Sequence, residues 1–63
     1  MKTMLENFIN GNLSAARKSA RRFSHAAIRA ALMEEYGYSL NKAALTADWL
    51  KTGENFQAAC DAD

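Results

Sequence analysis

The sequence contains no proline, three glycines and a single cysteine. Without proline nothing interrupts a helix from within, and each glycine becomes a candidate helix end. One thiol, Cys60, excludes an internal disulfide and a four-cysteine zinc site. Long apolar runs are lacking too. Glu6, Asn7 and Asn10 break the N-terminal stretch MKTMLENFIN, which leaves no signal-peptide core of about 7–15 apolar residues. No segment approaches the roughly 18 apolar residues of a membrane span. The expectation is a soluble, cytoplasmic chain without membrane contact. Strand-like alternation, internal repeats and low-complexity tracts are also missing.

Acids are absent from residues 7–33, which carry Arg17, Lys18, Arg21, Arg22 and Arg29. Residues 34–63 reverse the balance, with Glu34, Glu35, Asp48, Glu54, Asp61 and Asp63 against Lys42 and Lys51. Lys2 and Glu6 cancel, and the net charge is +1. Such polarity points to a charged partner, or to two parts of the protein attracting each other.

What is present is helical periodicity. The 63 residues allow one domain, residues 1–63. A chain this short buries only about 60% of its unfolded surface, so stability must come from well-packed helices, a partner or self-association. Met1, Met4, Leu5, Phe8 and Ile9 form an apolar stripe that Gly11 ends. Asn12 can cap a second helix, in which Leu13, Ala16, Ala20 and Phe23 share one face and Arg17, Lys18, Arg21 and Arg22 fan over the other. Ser24 reads as the next N-cap, with Phe23 and Ile28 placed as a hydrophobic staple. The third helix runs to Tyr36 and stops at Gly37, with Tyr38 placed to fold back on Met33. Ser39 caps a fourth helix reaching Thr52, and Gly53 ends it. Glu54 to about Ala62 forms a short fifth turn or helix around Phe56, Ala59 and Cys60. The fold expected is all-α, a compact bundle of four short helices plus a short C-terminal helix or turn.

In the fourth helix Leu40, Ala43, Ala44, Ala47 and Leu50 make one apolar face, while Leu45 and Trp49 lie roughly opposite. A helix apolar on two sides is buried on two sides, so Leu45 and Trp49 become candidate partner-binding residues. The second candidate surface is basic. Arg17/Arg21 and Lys18/Arg22 are like-charge pairs four residues apart, an arrangement that costs a few tenths of a kcal/mol per pair unless something offsets it. Phosphates would offset it, which makes Arg17, Lys18, Arg21, Arg22 and Arg29 candidate phosphate-binding residues, with Ser14 and Ser19 as supporting donors. The competing reading is a solvated face, or one neutralised by the acidic second half of the chain.

A helix-turn-helix arrangement is poorly matched. The basic residues precede the Phe23–Ser24 junction, and the helix after YGYS offers only Asn41 and Lys42 at its start. His25, the lone histidine, has no serine, cysteine or acid at a telling offset, and reads as structural. Cys60 reads as a small packing residue. Glu34 and Glu35 diverge by about 100° on a helix and cannot share a substrate. Nothing calls for a cofactor or metal. The function expected is a non-enzymatic interaction module that binds a protein partner, a second copy of itself included. The alternative is a nucleic-acid-binding helical module using the basic face of the second helix.

Overall fold

The computed structural model describes residues 1–62 and contains α1 (Lys2–Ile9), α2 (Leu13–Ala20), α3 (His25–Tyr36), α4 (Leu40–Thr52) and α5 (Phe56–Asp61). The chain is all-α, in the expected order of four helices and a short fifth. Local chemistry sets most of the boundaries. Ser24 Oγ accepts from the Ala27 N–H and Ser39 Oγ from the Lys42 N–H, both at 3.1 Å, so α3 and α4 start on side-chain caps. Both helices close on glycines in the left-handed region, Gly37 at φ 66° and Gly53 at φ 81°.

The earlier boundaries depart from expectation. Asn12 makes no side-chain cap; its backbone N–H donates to the Asn7 carbonyl at 2.8 Å instead. α2 ends at Ala20, and the next three residues tighten into successive i→i−3 bonds of 3.4, 3.2 and 3.1 Å. Tyr38 stacks against Tyr36, with ring centroids 5.8 Å apart, and beneath the Lys42 ammonium, while Met33 stays exposed.

α4 is the spine. Its 13 residues span about 20 Å at 1.5 Å per residue, nearly the whole of a molecule measuring 23 × 22 × 21 Å. It packs against α2, α3 and α5, while α1 pairs with α2. The core joins Met4 and Leu5 of α1, Ala16 and Ala20 of α2, Ile28 and Leu32 of α3, and Ala43, Ala47, Trp49 and Leu50 of α4. The alanines let α2 and α4 approach closely, and the larger side chains fill the space between the layers. Ile9 and Leu40, assigned to apolar faces from the sequence, are 57% and 59% exposed.

Two polar links tie the helices together. His25 Nε2 lies 2.7 Å from Asp48 Oδ1 and 3.2 Å from the Ala44 carbonyl, which joins the start of α3 to the middle of α4. The Tyr36 hydroxyl donates to the Leu5 carbonyl at 3.1 Å and so fastens the end of α3 to α1.

Candidate functional site

The two-sided apolarity of α4 resolves into one broad buried arc. At about 100° per residue, Trp49, Thr46, Leu50, Ala43 and Ala47 occupy a continuous sector about 160° wide, and all five are buried. Thr46, only 3% exposed, supplies the link that separates the two faces when the helix is read by apolar residues alone.

Trp49 is consequently an interior residue, 9% exposed. Phe8 of α1 and Phe56 of α5 close over it with ring centroids at 6.5 and 5.1 Å. Leu45 is half-buried at the margin of the arc. The candidate partner-binding pair therefore does not form an open apolar face, because α1 and α5 both fold onto the side of α4 that carries the indole. Cys60 is exposed rather than packed inside, on the rim of a shallow groove that Phe8, Trp49 and Phe56 also line.

The basic residues are distributed unequally. Arg17, Lys18, Arg21 and Arg22 are all exposed on α2 and the turn that follows it. Arg29 stands apart on α3 and is half-buried. Among the described residues no ion pair joins any of these five cations to a carboxylate. Glu54 and Asp61 form no ion pair with the α2 cations; Asp63, the remaining acid of that segment, lies outside the described residues.

Arg17, Lys18 and Arg21 meet a cation from another helix. With Ser14, Leu50 and Lys51 they line a recess of about 170 Å³ between α2 and the last turn of α4. Ser14, Arg17, Lys18 and Arg21 follow the three- and four-residue spacing that puts side chains on one helical face. Lys51 reaches the same recess because α4 packs against α2. Its ammonium donates to the Phe23 carbonyl at 2.6 Å, an acceptor left open by the tightened turn after α2. Sequence reading did not include Lys51 in the basic face. By position alone it is an ordinary cation in the last turn of a helix, and only the packing of two helices brings it to the others.

Arg17 is the most constrained of the group. Its guanidinium carbon sits 5.8 Å from the Trp49 ring centroid, within cation–π range. Its Nη2 would be 2.6 Å from a Cβ at Gly53, so the bare α carbon of that helix end makes room for the fork. Arg22 faces a separate recess of about 330 Å³ with Lys18, Ser19 and the start of α1.

The other candidate chemistry is already engaged. His25 is bound to Asp48, and the second oxygen of Asp48 accepts from Asn55 Nδ2 at 3.5 Å. Burial, then the nearby Glu35 charge, Tyr38 and Glu6 push the Tyr36 phenol above its ordinary value. Among the described residues no three His, Cys, Asp or Glu side chains gather to hold a metal ion, and no helix is long and apolar enough to cross a membrane. Compared with protein-family models, curated proteins and solved structures, the chain gives no significant match in any of the three.

Proposed function

We propose that the chain is a non-enzymatic binding module whose contact surface is the basic face of α2 and whose partner is the phosphate backbone of a nucleic acid. The observation that carries this reading is the group of α2 cations without a carboxylate partner among the described residues, gathered on one side of a chain with net charge +1. Placing like charges side by side is unfavourable in an isolated helix, and phosphates offset that cost. Arginine forks match phosphate oxygens in pairs, and the Ser14 and Ser19 hydroxyls add neutral donors beside them. Backbone contact of this kind positions a protein without reading sequence, so little preference among sequences is expected.

A second reading, a protein partner, draws support from Leu40 and Ile9, large apolar residues that are 59% and 57% exposed. With Trp49 turned inward, the aromatic left exposed for such an interface is Phe56, at 46%, while tryptophan, tyrosine and arginine are the residues that most often dominate protein interfaces. Recovery of the tagged full chain from native cells, with and without nuclease treatment, separates the two. Co-purifying nucleic acid that nuclease releases supports the first; a protein that stays bound through nuclease supports the second.

A further inference from the structure

We propose that the recess between α2 and the last turn of α4 is a subsite for a single phosphate group, held by Arg17, Arg21, Lys51 and Ser14. This rests on the reading of the α2 face as a phosphate-binding surface and adds to it a defined pocket and a ligand class.

Three features distinguish the recess from an ordinary charged helix face. Its cations come from two helices, so they surround a volume instead of fanning into water. Arg17 lies beside the Trp49 ring, at cation–π range, and loses less freedom on binding than a free side chain does. Lys51 is anchored through one of its three donors to the Phe23 carbonyl, which leaves two for a ligand. The carbonyl end of α4 lies close by and carries only about half a negative charge, against four positive ones. A volume near 170 Å³ equals several waters at about 30 Å³ each. That is room for a phosphate group.

Trp49 is the sole tryptophan and lies beneath Arg17, so its emission reports on the recess. The test titrates the full chain with inorganic phosphate at constant ionic strength, using chloride as the control. The expected result is a saturable change in Trp49 emission with phosphate alone. Arg21→Gln and Lys51→Gln each weaken phosphate binding about tenfold, the worth of one charge-assisted hydrogen bond. Lys2→Gln, an exposed cation on α1 that does not line the recess, leaves it within about twofold. The Arg21 side chain is exposed and makes no hydrogen bond or ion pair among the described residues, so its variant decides the matter even if the Lys51 variant unfolds. Oligonucleotides with a 5′-phosphate and with a 5′-hydroxyl separate the two sources. Tighter binding of the former assigns the recess to a terminal phosphate, equal binding to internal phosphodiesters. A saturable phosphate response without binding of either oligonucleotide upholds the subsite and refutes the nucleic-acid reading. A response no different from chloride, or Arg21→Gln indistinguishable from Lys2→Gln, overturns the subsite and leaves the wider reading to the salt dependence of nucleic-acid binding.

Discussion

Arg17 and Trp49, on separate helices, form a cation–π pair with the guanidinium carbon 5.8 Å from the ring centroid. The pair depends on Gly53, where an added Cβ would meet the guanidinium at 2.6 Å. Gly53→Ala therefore strains the backbone at a left-handed φ of 81°, and the flexible Arg17 guanidinium shifts to make room for the added methyl. The left-handed conformation alone should cost about 1–2 kcal/mol. Urea melting should record that loss while Trp49 emission shifts as Arg17 is displaced. An unchanged midpoint and spectrum would show that the pair is not built this way.

Trp49 should behave as core. Trp49→Ala removes a buried aromatic at a cost of about 3–5 kcal/mol. The whole stability expected for a chain this short is only about 3–9 kcal/mol. Circular dichroism of the variant should show severe loss of helix. A Trp49→Ala protein as stable as the parent would contradict the core assignment.

The Tyr36 phenol, raised above its ordinary value near 10 by burial first and by neighbouring negative charge next, gives a pH dependence with a definite sign. The folded state favours the protonated phenol, which donates to the Leu5 carbonyl. Its contribution to stability is complete below about pH 10 and is lost as pH rises through the folded-state value. Tyr36→Phe should remove that alkaline loss and cost about 0.5–1.5 kcal/mol at neutral pH for the missing hydrogen bond. A variant that loses stability above pH 10 as steeply as the parent contradicts the assignment.

Much of the fold was legible because helix ends are written locally. Ser24, Ser39, Gly37 and Gly53 each act through residues within a turn of themselves, and each sits where its chemistry placed it. The misreadings arose where neighbours far along the chain decide. Thr46 merges two faces of α4 into one, and counting only apolar residues hides it. The sequence alone leaves Trp49 open as a partner-binding candidate, because α1 and α5 close over it from positions no local pattern reveals. Lys51 joins the α2 cations only through the packing of α2 on α4. The cations of α2 were legible, being set by spacing within one helix; the recess they enter was not.

The central claim is that the α2 face binds phosphates, and the salt dependence of duplex DNA binding tests it most directly. Contact with about four phosphates predicts a slope of log affinity against log salt near −3.6. Arg21→Gln should weaken binding to every sequence alike and flatten that slope by about one. An absence of binding even at low salt, or a slope that Arg21→Gln leaves unchanged, would contradict the account.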